Sequence, residues 1–351
     1  MSARLRIDLG ALAANYQLFR DAASPGVAGA VVKADGYGLG APEVVRALAR
    51  SGCENFFVAT SAEGVDVRAA LPAALPDPRI FVFEGAQDDT VMDLLGADLV
   101  PILNHAGQLA VWREAAAGRP AAVHVDTGMH RLGFPADVTA AHFRGVRITL
   151  LLTHLARADE PDHEMNRRQL ERFSRAREAL PGVDVSIGNS AAVLAGGDFA
   201  GDLCRPGIGL YGGNPFLDRP TPVRPVVTLE GRILQLRDVA AGESVGYGAT
   251  FTARAPLRLA VVGLGYADGL PRLLSNRGEV AVGGRRCAIV GRVSMDLTTV
   301  DVSGVDAAVG DWVEFVGPQV LVDEVAAWAE TIPYEILTGL GARPRRDFVG
   351  A

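Results

Sequence analysis

One lysine, Lys33, stands among 34 basic residues; the rest are arginines. A guanidinium stays protonated at any accessible pH and cannot serve as an amine nucleophile. In a chain that carries nearly all its positive charge on arginine, the one remaining amine is the candidate for imine chemistry or for moving a proton. A lone surface lysine is the plain alternative, so the decision falls to its surroundings. Lys33 closes an apolar run, VVK, and is followed by the glycine-punctuated ADGYGLG. Other polar residues recur at comparable places further on: Arg131 after HVDTGM, His154 after ITLLLT, Asn189 and Ser190 in GNSAA, Arg205 and Gly207 in RPGIG. Lys33 and His154 end apolar runs, Arg131, Asn189 and Ser190 come after them, and Arg205 and Gly207 lie in the last.

Those runs define the elements that must hold the polar residues. Strand-like segments are expected at Val27–Lys33, Phe56–Ala59, Arg79–Phe83, Leu99–Leu103, Ala121–Val125, Ile148–His154, Val183–Ile187 and Cys204–Tyr211. Between them lie helical patterns such as PEVVRALARSG and HEMNRRQLERFSRAREAL. Asp8 is placed to cap a first helix whose Leu9, Leu12, Tyr16 and Phe19 share one face. Eight strands alternating with helices are the pattern of a (β/α)8, TIM-type barrel, an α/β fold. A doubly wound sheet is the alternative, but its Gly-rich first turn is replaced here by KADGYGLG. Barrel enzymes build their sites at the C-terminal ends of the strands, where Lys33, Arg131, His154, Asn189 and Ser190 fall, with Arg205 and Gly207 at the eighth strand.

After the Pro-rich NPFLDRPTPVRP the texture changes to β-rich, glycine-punctuated segments such as VVTLEGRILQLRDV and EVAVGGRRCAIVGRV. A barrel over residues 8–221 and a mostly-β domain over 222–351, joined by residues 1–7, is the expected organisation. A net charge of -7 argues against nucleic-acid and anionic-membrane partners. Cys53, Cys204 and Cys287 lie far apart with no CxxC spacing, so no metal site is expected and a reducing, cytoplasmic setting is. The N-terminal MSARLRIDLG lacks the apolar core of a signal peptide, and no apolar stretch is long enough to span a bilayer.

The segments VVKADGYGLG, HVDTGMHRLGF, THLARADE, GNSAA, RPGIGLYGG, SVGYGATF, GYADGLPR and GRVSMDLTTVD resemble, in order and spacing, those of the alanine racemase family. The resemblance runs from IDLGALAANY to YEILTGLGARP, essentially the whole chain. It implies a pyridoxal 5'-phosphate (PLP) isomerase, a cytoplasmic homodimer with shared active sites, and interconversion of L- and D-alanine that supplies D-alanine for peptidoglycan. Lys33 matches the lysine that binds PLP as an imine and then acts as one base. Tyr247, in SVGYGATF, matches the second base, which comes from the partner subunit. Racemisation needs an acid/base group on each face of Cα, and an unperturbed phenol at about pKa 10 needs help to serve near neutrality. Arg205 resembles the arginine facing the pyridine nitrogen. Because arginine holds its proton, the ring stays a weak electron sink, which favours prompt return of the proton over side reactions.

By the same resemblance Tyr37, Asn189, Ser190, Gly207, Ile208 and Tyr211 belong to the cofactor site, mostly around the phosphate, and His154 contacts the ring. Glycine there lets backbone N–H groups approach an anion. Arg131 matches the residue reaching the cofactor's phenolic oxygen and the substrate carboxylate. Met295, with Asp296 beside it, completes carboxylate binding, and Tyr266 lines the substrate entrance. Two departures stand out. His124 occupies the place where many relatives have a carbamylated lysine that braces the arginine, so Arg131 is expected to be held by His124, a bound anion or a carboxylate such as Asp126. GARPRR lacks the tyrosine with which many relatives grip the phosphate, which points to a weaker grip or one met by water. A serine or broad-specificity racemase, a basic-amino-acid decarboxylase and a non-catalytic PLP carrier are the competing readings. Tyr247 argues against the carrier, which needs no second base.

Overall fold

The computed structural model describes residues 2–350, which divide into two compact units. One comprises residues 12–210 and 214–223; the other comprises residues 2–11, Tyr211–Gly213 and residues 224–350.

In the first unit seven strands lie side by side, all parallel and in chain order: Ala30–Val31, Asn55–Val58, Arg79–Val82, Val100–Leu103, Pro120–His124, Arg147–Leu152 and Asp184–Ser186. An eighth, Leu203–Cys204, pairs in parallel with Val27–Ala28. Gly29 N–H donates to Cys204 O and Val31 N–H to Pro206 O, each at 2.9 Å, which carries that pairing onto the first strand of the ladder. On its other side Asp202 N–H reaches Val185 O at 2.8 Å and Arg205 N–H reaches Gly188 O at 2.7 Å. The sheet therefore closes into the barrel that the alternating pattern predicts. Asn55–Val58 and Val100–Leu103 are buried at every residue, as strands covered on both faces must be. The Phe57 ring stacks on Phe81 at 4.8 Å and Phe83 at 5.8 Å, which packs the second strand of the ladder against the third. Asp8 Oδ1 accepts the Ala11 N–H at 2.8 Å and caps the helix Leu9–Ala23, whose Leu9, Leu12, Tyr16 and Phe19 are buried as their spacing predicts.

Two strands depart most from their expected bounds. The first is interrupted at Gly29, which sits so close to Asn55 that a Cβ would lie 2.8 Å from the Asn55 carbonyl oxygen. The last stops at Cys204 instead of running to Tyr211. Pro206 has no N–H to give, and the Gly207 and Gly209 N–H groups turn to the Ser190 hydroxyl. Ile208–Tyr211 then forms a 3-10 turn.

The second unit is built on an eight-stranded, mainly antiparallel sheet. Its long strand Val227–Val239 pairs with Ala3–Asp8, Leu257–Val262 and Trp312–Val316. Arg345–Val349 joins in parallel on the far side of Ala3–Asp8. Two short helices, Val322–Trp328 and Pro333–Thr338, complete it. Among the described residues no helix is long and apolar enough to cross a membrane.

Candidate active site

Lys33 follows the first barrel strand and opens an unusual turn. Ala34, Asp35, Gly36 and Tyr37 all have φ between 52 and 62°, a left-handed helical turn closed by Gly36 N–H to Val32 O at 2.9 Å and Gly38 N–H to Ala34 O at 2.7 Å. Left-handed helix costs roughly 1–2 kcal/mol per non-glycine residue, so other contacts must hold Ala34, Asp35 and Tyr37 there. Two carboxylates do this. Glu63 Oε1 accepts the Ala34 N–H and its Oε2 the Ala59 N–H, both at 2.8 Å, and Asp35 Oδ1 accepts the Ala41 N–H at 2.7 Å. The turn places the amine at one end and the buried Tyr37 at the other.

The half-buried Lys33 amine lies 5.6 Å from the Phe83 ring centre. Burial lowers its pKa and the Arg131 guanidinium lowers it further, while Glu63 opposes both. Arg205, after the last strand, is 3% exposed. Its Nη1 donates to Ser186 Oγ at 2.5 Å, and its Nη2 to Thr153 O at 2.8 Å and Ile187 O at 3.3 Å. His154 Nδ1 lies 3.5 Å from the same Nη2. No carboxylate pairs with this guanidinium among the described residues, and burial brings its pKa down to about 10. His154 is held well below the ordinary imidazole range by burial, then by Arg205, Arg131, His124 and Lys33. Its ring is neutral at pH 7.

On the same rim Ser190 Oγ accepts the N–H groups of Gly207 at 2.8 Å and Gly209 at 3.2 Å. A Cβ on Gly207 would collide with the Tyr37 hydroxyl, so only glycine permits this approach. Ile208 is buried beside them. Asn189 Oδ1 accepts the Ala192 N–H at 3.0 Å, which makes it the cap of Ser190–Ala195. The first unit thus brings together Lys33, Tyr37, His154, Ser190, Arg205, Gly207 and Ile208. Tyr211, fully buried, belongs to the second unit.

Neither of the side-chain braces expected for Arg131 is there. Its side chain is exposed and bonds to neither His124 nor Asp126. Asp126 Oδ1 is occupied by the N–H groups of Gly128, Met129 and His130 at 2.9, 2.9 and 3.1 Å. His124 turns to Asn104, with Nδ1 to Oδ1 at 3.1 Å. Because Asn104 Nδ2 already donates to Ile102 O and Phe83 O, its oxygen must face the ring, and His124 Nδ1 carries the proton. Burial, then Arg205 and Arg131, lowers the His124 pKa to about 4.

In the second unit Tyr247 caps a hairpin in which Ser244–Val245 pairs with Phe251–Thr252. Val245 is anchored in a core with Leu259 and Val290, yet the Tyr247 side chain is 72% exposed. Tyr266 and Met295, at 42% and 52% exposure, sit on two adjoining turns. Tyr266 N–H donates to Ser294 O and Ala267 N–H to Met295 O, both at 3.0 Å. Asp296 Oδ1 receives Arg343 Nη1 at 2.6 Å.

Sequence reading missed Glu63, Ser186 and Arg343. Glu63 stands three residues after Thr60, whose hydroxyl caps the helix Ser61–Ala70, so its spacing signals a helix start and hides its grip on residue 34. The three cysteines are free and buried, and no group of three or more His, Cys, Asp or Glu is placed to hold a metal among the described residues.

The family model described as alanine racemase, N-terminal domain, matches residues 7–215, and that of the alanine racemase C-terminal domain matches residues 226–348. An alanine racemase of Rhodospirillum rubrum is 47% identical, with 98% of this chain and 96% of that protein covered. Agrobacterium fabrum has a catabolic alanine racemase at 44% identity (99% and 92% covered) and a biosynthetic one at 43% (99% and 94%). Among solved structures, the alanine racemase of Bartonella henselae with covalently bound pyridoxal phosphate superposes with a TM-score of 0.93 at 38% identity, covering 99% of this chain and all of that one.

Proposed function

Since the chain belongs to the alanine racemase family, a family of PLP-dependent isomerases, we propose that it interconverts L- and D-alanine by a two-base mechanism using Lys33 and the partner subunit's Tyr247. The observation that carries the proposal is the chain's sole lysine, half-buried at a barrel mouth with its pKa lowered, among Arg131, Arg205 and His154. This donor set fits PLP. A cluster of cations and N–H groups with no paired carboxylate on Arg205 suits an anionic phosphate and a ring nitrogen that accepts a hydrogen bond.

Ser190, Tyr37, Gly207 and Ile208 would hold the phosphate, with Asn189 fixing the helix that carries Ser190. Arg205 Nε–H, without a partner among the described residues, is the donor available to the ring nitrogen, and His154 stays neutral beside it. When bound, PLP draws electrons from the substrate Cα–H bond; the protein moves the proton. The Lys33 amine, its pKa lowered, takes or returns the Cα proton on one face, and the partner subunit's Tyr247 hydroxyl does so on the other. Arg131, which has no ion pair among the described residues, binds the substrate carboxylate, and the Met295 N–H assists. Tyr266 limits the side chain admitted.

Homodimerisation is part of the proposal. The exposure of Tyr247, Met295 and Tyr266 on turns of the second unit supports it, because clustered exposed aromatic and apolar side chains mark interaction surfaces. We also assign the D-alanine produced to peptidoglycan, a role that growth rescue of a D-alanine auxotroph tests. For the chemistry, the purified enzyme is incubated with L-alanine and L-serine in heavy water, and Cα deuteration and chirality are followed. Tyr247→Phe should keep the cofactor yet lose about 10²–10⁴-fold in racemisation, the usual worth of a general acid–base group. Full activity in that variant refutes the two-base assignment, and serine turnover equal to alanine refutes the substrate.

A further inference from the structure

The segment where the sequence lacks the phosphate-gripping tyrosine does other work. Arg343 reaches across to the two turns that carry Tyr266 and Met295. Its Nε donates to Asp268 Oδ1 and its Nη2 to Asp268 Oδ2, both at 2.9 Å, and its Nη1 to Asp296 Oδ1 at 2.6 Å. Asp268 ends the turn Tyr266–Asp268, and Asp296 is the neighbour of Met295. One guanidinium is therefore shared between the two turns.

Exposed ion pairs usually contribute little, and the Asp296 contact, with that carboxylate 59% exposed, is of this kind. The Asp268 contact differs. Its carboxylate is only 4% exposed, takes the arginine in a two-pronged grip, and also accepts the Gly265 N–H at 2.9 Å. Gly265 is where the turns touch: a Cβ there would overlap the carbonyl oxygens of Ser294 and Met295. The Gly341 N–H meets Asp268 O at 3.0 Å, so the C-terminal segment is bonded to the Tyr266 turn by backbone as well. These contacts all lie within the second unit.

We propose that Arg343 is a positioning residue for the substrate mouth, setting the separation of Tyr266 and Met295 by holding Asp268 and Asp296 together. This rests on the assignment of Tyr266 and Met295 to that mouth. A side chain that only stabilised the fold would change the amount of active enzyme, lowering kcat with KM unmoved. One that sets the mouth changes which substrates fit and how tightly.

The test uses the PLP-loaded full-length enzyme and compares Arg343→Met, Arg343→Lys and Tyr266→Ala. Alanine and serine kinetics are measured beside thermal unfolding. Arg343→Met should raise the alanine KM on the order of tenfold, with kcat changed less, and raise the serine-to-alanine ratio of kcat/KM in the same direction as Tyr266→Ala. Arg343→Lys, which keeps a charge but not the fork, should restore part of both. The proposal is overturned if Arg343→Met moves neither KM nor the ratio while Tyr266→Ala moves both. It is equally overturned if Arg343→Met and Arg343→Lys lower only kcat and unfolding temperature. If Tyr266→Ala leaves KM and ratio untouched, the assignment of the mouth has failed, and the positioning role falls with it.

Discussion

Substituting His124 with asparagine should flatten the enzyme's response to acid. The imidazole is 8% exposed, donates from Nδ1 to Asn104, and sits in the field of two guanidinium groups, so its pKa is about 4. In the unfolded chain a histidine titrates near 6.5. Between those values the unfolded state binds a proton that the native state refuses, so acid favours unfolding. The sign follows: His124 takes nothing from stability above about pH 6.5, erodes it as pH falls, and stops eroding it below about 4. The full window corresponds to about 3 kcal/mol, and the part reached between pH 8 and pH 5 to about 2 kcal/mol. Asparagine at 124 can still donate an N–H to Asn104 Oδ1 but does not titrate. Urea unfolding of both proteins at pH 8 and pH 5, at matched protein concentration, reads the difference. The wild type should lose about 2 kcal/mol more than His124→Asn over that interval. Parallel losses agreeing within about 0.5 kcal/mol would refute the reasoning, and so would an NMR titration placing the His124 ring near 6.5.

Two further substitutions probe the barrel rim. Ser186→Ala removes the hydroxyl that accepts from Arg205 Nη1 and donates to Leu203 O; a buried charged donor left without its acceptor should cost about 2–3 kcal/mol, read as a lowered urea midpoint, and a change within about 0.5 kcal/mol contradicts it. Glu63→Gln presents an amide to one of the two N–H groups that the carboxylate now accepts and withdraws the negative charge that raises the Lys33 pKa. Its kcat should fall about tenfold as the left-handed turn loosens, and the acid limb of its pH–rate profile should move to lower pH; a limb that stays in place or moves up shows that Glu63 does not act on Lys33.

The barrel was legible because its strands are covered on both faces and so read as uninterrupted apolar runs. The segment expected from Phe56 is found at Asn55–Val58, and the one expected from Leu99 at Val100–Leu103. What failed were strand ends set by tertiary partners. Nothing in RPGIGLYGG alone tells that the Ser190 hydroxyl would take two glycine N–H groups and end the ladder at Cys204. The left-handed turn after Lys33 was hidden for a related reason, since Ala34 has no intrinsic bent for that conformation and the turn is held by Glu63 and by Asp35's own reach to Ala41. Of the candidate site, the side-chain partners were what the sequence did not disclose. Arg131 was given two side-chain braces by proximity in sequence, but Asp126 is used up by three backbone N–H groups of its own turn. Side chains whose work is to hold others, such as Ser186 and Arg343, belong to no conspicuous pattern and appear only once the chain is folded.

The solitary lysine has a practical consequence. Feeding lysine enriched with nitrogen-15 at the ε position would put a single spin label in the whole protein, at the mouth of the barrel. A heteronuclear spectrum would then hold one line, free of overlap and needing no assignment. Its shift would report directly on occupancy and protonation during a titration with substrate or inhibitor.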